Sequence, residues 1–211
     1  MSYICLIANK NGVVVAGDSR LTLEPQLLHL HYDKAQKVFS DPEQNMVWAC
    51  CGLTVFLGMN YFSMCSRILR QSHRSMGSRL NQISKILGRA TRIQHRLGRK
   101  NSVFTLLLAT VKDGAVQVQT LDVVNGKATL KKHAAPVMIQ SGWNPFLHQP
   151  KPPVSYYKEE TLEQLISRAK ERCLWAMRKD GRLTRTEKKH IQTIGGNVRV
   201  AYLSTAEEDP S

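Results

Sequence analysis

A serine stands in second position, directly after the initiator methionine, and its place in the chain points to chemistry more directly than any other residue. A small side chain there permits removal of Met1, which would leave Ser2 as the first residue. Its hydroxyl and its own α-amine would then lie a few bonds apart. An α-amine titrates near roughly 7.7–8.0, so it is a usable general base at neutral pH. Nucleophile and base come from one residue, a variant of the arrangement in which a neighbouring base activates a hydroxyl. Taken alone, a serine here reads first as an ordinary chain terminus.

Other reactive residue types exclude more than they suggest. The five cysteines, Cys5, Cys50, Cys51, Cys65 and Cys173, are odd in number and form no C-x-x-C pair. That argues against a disulfide framework and a zinc site, and for a reducing compartment. The first twenty residues lack the shape of a signal peptide, because Lys10, Asp18 and Arg20 interrupt short apolar runs. No apolar stretch is long enough to span a bilayer. A cytoplasmic protein without a membrane partner is expected.

The 211 residues carry 30 Lys and Arg against 16 Asp and Glu, a net charge of +14, and 42% are hydrophobic. Disorder is excluded by that apolar fraction, and one globular domain over residues 1–211 is expected, with 203–211 as a polar tail. Residues 44–112 hold eleven Lys or Arg and no Asp or Glu. Such a surface attracts phosphates. No nucleic-acid-binding motif or aromatic interleaving accompanies it, so a solvated or subunit-facing basic surface is favoured over nucleic acid as a partner.

The elements that must position Ser2 are readable from pattern. Residues 3–8 and 13–17 are β-rich runs on either side of Asn9-Lys10-Asn11-Gly12, a hairpin whose Asn-Gly pair suits φ > 0. The same signal recurs at Asp113-Gly114, between Val103–Val111 and Ala115–Val123, and at Asn125-Gly126 before Ala128–Lys131. Short strands fit Lys37–Phe39, Met46–Cys50, Val137–Gln140 and Asn197–Leu203. An apolar run predicts a helix over Thr54–Arg70, and Met76 to Leu97 repeats apolar residues at three and four. A third helix is predicted over Glu159–Lys179, stopped by Gly181. Trp143–Tyr157 holds four prolines and is irregular. Helices outside antiparallel sheets make a layered α+β domain.

The segments Ser2-Tyr3-Ile4-Cys5-Leu6-Ile7-Ala8, Gly12 to Asp18-Ser19-Arg20, and Asp33-Lys34-Ala35-Gln36-Lys37-Val38-Phe39 resemble the β-subunits of the proteasome and their bacterial relatives among the N-terminal-nucleophile hydrolases. The resemblance is close over the first forty residues and looser over the rest. It implies a four-layer αββα sandwich of antiparallel sheets. It also implies a peptidase with Ser2 as nucleophile, where most of the family has threonine. Asp18 then matches the buried aspartate and Lys37 its lysine partner beside the nucleophile. An ammonium there lowers the pKa of the terminal amine, and Asp18 keeps it charged and oriented. Gly52 matches the glycine at a strand-to-helix corner whose N–H forms the oxyanion hole. Ser141, in Gln140-Ser141-Gly142, resembles the serine that hydrogen-bonds the terminal amine, and Cys50 and Thr54 are implied to line the substrate pocket.

Two departures stand out. The family's late Asp-x-x-Ser-Gly-Gly segment reads here His190-Ile191-Gln192-Thr193-Ile194-Gly195-Gly196. Thr193 supplies the hydroxyl, but no carboxylate occupies the aspartate's place. After Ser141-Gly142 the family runs into a helix, where this chain has its proline-rich stretch. The resemblance implies a polypeptide substrate, a homo-oligomer built as a ring or stacked rings, and neither metal nor organic cofactor. No ATPase partner can be read from the chain. A small-amide hydrolase and a catalytically degenerate assembly or phosphate-binding scaffold are the alternatives.

Overall fold

The computed structural model of the protein describes residues 2–22, 31–99, 102–142, 149–186 and 194–206. In chain order the strands are β1 (Tyr3–Asn9), β2 (Gly12–Asp18), β3 (Leu21–Thr22), β4 (His31–Tyr32), β5 (Val38–Asp41), β6 (Met46–Gly52), β7 (Val55–Phe56) and β8 (Met59–Asn60). Helices α1 (Tyr61–Leu69) and α2 (Met76–Arg96) follow. Strands β9 (Val103–Lys112), β10 (Ala115–Val124), β11 (Lys127–Ala134) and β12 (Val137–Gly142), helix α3 (Leu162–Thr186) and β13 (Val198–Ser204) complete the order. The protein is α+β, with antiparallel sheets and, among the described residues, three α-helices.

The two larger sheets have the orders β12-β1-β2-β13 and β11-β10-β9-β6-β5, beside the two-stranded pairs β3-β4 and β7-β8. Strands β1 and β2 are buried from end to end, as central strands covered on both faces must be. Alternate side chains therefore serve different cores. Tyr3, Cys5, Ile7, Val14 and Ala16 pack against Leu165, Ala169, Cys173 and Ala176 of α3. Ile4, Leu6, Val13 and Val15 instead join Val47, Ala49, Leu107 and Ala109 of the second sheet in one apolar cluster. On that sheet's other side Met46, Trp48, Cys50, Leu106 and Leu108 meet Phe62, Cys65, Leu80, Ile83 and Leu87 of α1 and α2.

Turn chemistry worked where the Asn or Asp takes φ > 0. Asp113 (φ 51) with Gly114 and Asn125 (φ 49) with Gly126 close the β9–β10 and β10–β11 hairpins. At the first hairpin Asn9 pairs with Gly12 and the two turn residues are Lys10 and Asn11, neither with positive φ. There Asn9 instead ties the turn to the segment before α3, through its amide to Tyr157 O (2.9 Å) and Glu160 O (2.7 Å).

Two predicted helices need correction. The apolar run from Thr54 does not begin a helix: Val55–Asn60 forms the β7–β8 hairpin, and α1 starts at Tyr61 with Asn60 as its cap, accepting from Ser63 N at 3.1 Å. Positive φ at Leu57 and Gly58 turns the chain there. Hydrophobicity alone did not distinguish helix from hairpin in so short a run. In α3, Gly181 does not stop the helix, which continues to Thr186. A glycine in mid-helix weakens it by about 1 kcal/mol without ending it.

Candidate functional site

Strand β2 ends on Asp18, and its carboxylate is fully buried. A buried carboxylate must be paired and hydrogen-bonded, and here donors arrive from four parts of the chain. Oδ1 accepts from Tyr3 N (2.8 Å) and from Lys37 Nζ (3.0 Å). Oδ2 accepts from Arg20 N (3.1 Å) and Gly195 N (3.3 Å). Lys37, at the entry to β5, is equally buried and also donates to Arg20 O. Ser2 is 3% exposed, and the peptide that follows it is the one held by Asp18. The structure thus brings Ser2, Asp18 and Lys37 together.

A second tier fixes this pair. Ser19 donates from Oγ to Asp33 O and accepts from Asn197 N (2.8 Å). Arg20 makes a two-pronged contact with Asp33, Nε to Oδ1 at 2.6 Å and Nη2 to Oδ2 at 2.9 Å, which holds its guanidinium in the charged form. Gly195 and Gly196 lie against these groups. A Cβ on Gly195 would come within 2.6 Å of the Arg20 guanidinium, and one on Gly196 (φ +72) within 2.6 Å of Asp33 O. Only glycine permits that approach.

Sequence reasoning missed one residue here. Asp180, on α3, is fully buried and accepts from Ile194 N at 2.7 Å. Asp180 and Asp18 hold the successive N–H groups of Ile194 and Gly195. Asp180 sat inside a Lys-Asp-Gly sequence that read as a helix end; its burial was the missing signal. Thr193, like Met1, lies outside the described residues.

Gly52 closes β6 with φ +101, opposite Phe104, where a Cβ would strike Val103 O at 2.1 Å. It stands before a hairpin and not at a helix start, so no helix dipole aids its N–H, contrary to expectation. Cys50 N donates to Lys37 O (2.9 Å) and Leu53 N to Val103 O (2.9 Å). Antiparallel alternation then points Gly52 N–H toward the Lys37 side. Ser141 lies across from Ile4, and its hydroxyl is 3.4 Å from Cys51 Sγ, bridging the sheets.

Cys50 does not join the site. It is fully buried on the helix-facing side of β6, hydrogen-bonded to Cys65, and burial raises its pKa. Alternation along the strand makes Cys51 the site-side neighbour. Thr54 is half-buried, its hydroxyl on Gly52 O at 3.2 Å. Among the described residues no His, Cys, Asp or Glu cluster could hold a metal ion. A groove of about 400 Å³ lined by Gln44, Asn45, Thr110 and Gln117 opens at the other end of β9 and β10, away from Gly52.

Two outcomes follow for stability. Asp18→Asn leaves Lys37 buried without its counter-charge and should destabilise by about 3–5 kcal/mol, read by urea unfolding; a change below about 1 kcal/mol would show the pair to be dispensable. Burial pushes Cys51 up to about 11 and Cys5 up to about 12 from an ordinary 9.0. Above pH 9 the unfolded chain releases these protons while the folded one keeps them, so stability falls as pH rises from 9 toward 11 and 12. Cys51→Ser should flatten the part between 9 and 11 in pH-dependent denaturation.

The fold is shared with known structures. Anbu (ancestral beta-subunit) from Yersinia bercovieri is similar at 15% identity and TM-score 0.52, over 98% of this chain and 84% of that one. An Anbu (Gly-1) mutant from Hyphomicrobium sp. strain MC1 is similar at 13% identity and TM-score 0.51, over 100% and 89%. No family model matches the chain, and no curated protein does. These findings correct the family reading made from the first forty residues. Assignment to the proteasome β-subunits and N-terminal-nucleophile hydrolases does not stand, and at such identity the likeness to Anbu is one of fold alone.

Proposed function

We propose that this chain hydrolyses peptide bonds through Ser2 after loss of Met1. The observation that carries the reading is the convergence of Tyr3 N–H and Lys37 Nζ on one oxygen of a buried carboxylate, which ties the peptide following Ser2 to an ion pair. In the proposed cycle Ser2 Oγ attacks the substrate carbonyl while the Ser2 amine accepts its proton. Gly52 N–H receives the oxyanion, and the amine passes the proton to the departing nitrogen. Water, deprotonated by the same amine, then cleaves the ester and restores Ser2.

Lys37 acts as a fixed positive charge that keeps the amine unprotonated, with Asp18 holding it in place. Ser141 and Thr193 are proposed to orient the amine, and Asp180 to position the Ile194–Gly195 backbone. Thr54 remains the proposed pocket residue. The three apolar clusters support an αββα layering in a single domain. No helix among the described residues is long and apolar enough to cross a membrane. Five unpaired thiols support a reducing, cytoplasmic setting. Exposed Val55, Leu57 and Met59 on β7–β8 support burial in a homo-oligomer.

Intact mass spectrometry tests the chemistry. Purified protein should lack Met1 and gain one adduct from a serine-directed electrophile at pH 7.5, with buried thiols left unlabelled. Ser2→Ala should abolish the adduct, and Lys37→Ala should slow peptide cleavage by at least about 10³-fold. Retained Met1 with no adduct would refute the proposal. Light scattering on the same sample should give a mass above one chain; a monomer would remove the assembly reading.

A further inference from the structure

On α2 the residues Lys85, Arg89, Arg92 and Arg96 are all exposed. Their spacing of four, three and four keeps them within about 60° of helix circumference and spreads them over roughly 16 Å. Among the described residues none of the four forms an ion pair, and residues 44–112 supply no carboxylate. Like charges at i and i+4 repel, so the stripe weakens its own helix. Arg96, in the last turn, is favoured by the helix dipole, but Lys85 and Arg89 in mid-helix are not.

A rigid mount backs this stripe. Gly126 N donates to Thr91 Oγ1 at 2.9 Å, and Gly126 (φ +92) lies so near Arg92 that a Cβ would come within 2.8 Å of it. The β10–β11 turn is thereby seated on α2, while Lys127 just past it pairs with Val124 and shares the sheet face opposite α2. Ser102 locks the same corner, donating from N to Asn125 Oδ1 (3.0 Å) and from Oγ to Gln94 Oε1 (2.5 Å).

We propose that this ridge of Lys85, Arg89, Arg92 and Arg96 binds the phosphate backbone of duplex nucleic acid without reading sequence. Its roughly 16 Å length matches about five phosphates of one strand at 3.4 Å each. A protein partner is disfavoured because interfaces are anchored by apolar and aromatic groups at their centre, and the stripe presents none. A membrane surface is disfavoured likewise, since the apolar face of α2 is spent on the core. The absence of aromatics from the ridge also argues against stacked single strands. The surface count of eleven cations in the sequence included Arg79, which is buried against backbone carbonyls; the ordered stripe became visible only in three dimensions. This site is independent of Ser2 chemistry.

Fluorescence anisotropy of the full chain with a labelled 30-base-pair DNA of mixed sequence tests it. With four phosphate contacts, log K should fall against log salt with slope about −3.6, a loss of roughly 150-fold between 50 and 200 mM. Arg89→Gln/Arg96→Gln should bring the slope to about −2, with circular dichroism and hydrolysis unchanged. Two unrelated duplexes should bind equally. An unaltered slope in the double variant, absent binding at 50 mM salt, or tighter binding to poly-glutamate or to phosphatidylserine vesicles than to DNA would overturn the proposal.

Discussion

A single buried ion pair organises one end of this molecule. Asp18 and Lys37 are both wholly removed from solvent, and two charges in that setting persist only if each is fully engaged. The requirement propagates outward. Asp18 needs more acceptor contacts filled than Lys37 can supply, so it draws in the backbone N–H groups of Tyr3, Arg20 and Gly195. These donors come from the start of β1, the exit of β2 and the approach to β13. The ends of three strands are thus fixed by one carboxylate, where an apolar residue of the same size would leave their N–H groups unpaired.

The same logic explains the glycines around it. Gly195 and Gly196 must thread between Arg20 and the Ser19–Asp33 contact, and Gly52 must take φ +101 beside Val103 O. Gly195 and Gly196 lie where backbone passes close to polar groups that cannot move without breaking a bond to Asp33, and Gly52 lies against the Val103 carbonyl that accepts from Leu53 N. Backbone N–H groups at this end are consequently held in place before any ligand arrives. Preorganised donors of that kind suit stabilisation of developing negative charge, and loosely held ones do not.

How much was legible in the sequence depended on whether a residue's partner was local. The two sheets came through as alternating or continuous apolar runs with Asn-Gly and Asp-Gly turns, since those signals reside in neighbouring residues. The β7–β8 hairpin and the run of α3 past Gly181 did not, because a short apolar run and a lone glycine each fit two structures. At the site, the grouping of Asp18 with Lys37 entered through family resemblance and not through spacing. Asp180 was passed over because its partner, Ile194 N, lies across a stretch that no local pattern spans. Cys50 was misjudged because strand alternation sends it toward Cys65 and the helices, one residue out of step with Cys51.

Charge gives the clearest case of one residue type used in opposite ways. Arg79 and Arg172 are cations buried with no carboxylate bonded to them among the described residues; Arg79 donates to carbonyls at Leu69 and Arg74, and Arg172 donates to those at Gln149 and Pro150 while its Nε finds no partner there. They fasten turns: Arg79 the α1–α2 connection, Arg172 the proline-rich approach to α3. Their positive charge is incidental to a fan of donors suited to closing open carbonyls. The cations on the outer face of α2 close nothing among the described residues, where their hydrogens find no partner. A net charge of +14 therefore divides into a part the fold consumes and a part it leaves facing solvent in register. Only the second part acts at a distance, and salt weakens it while leaving the first almost untouched.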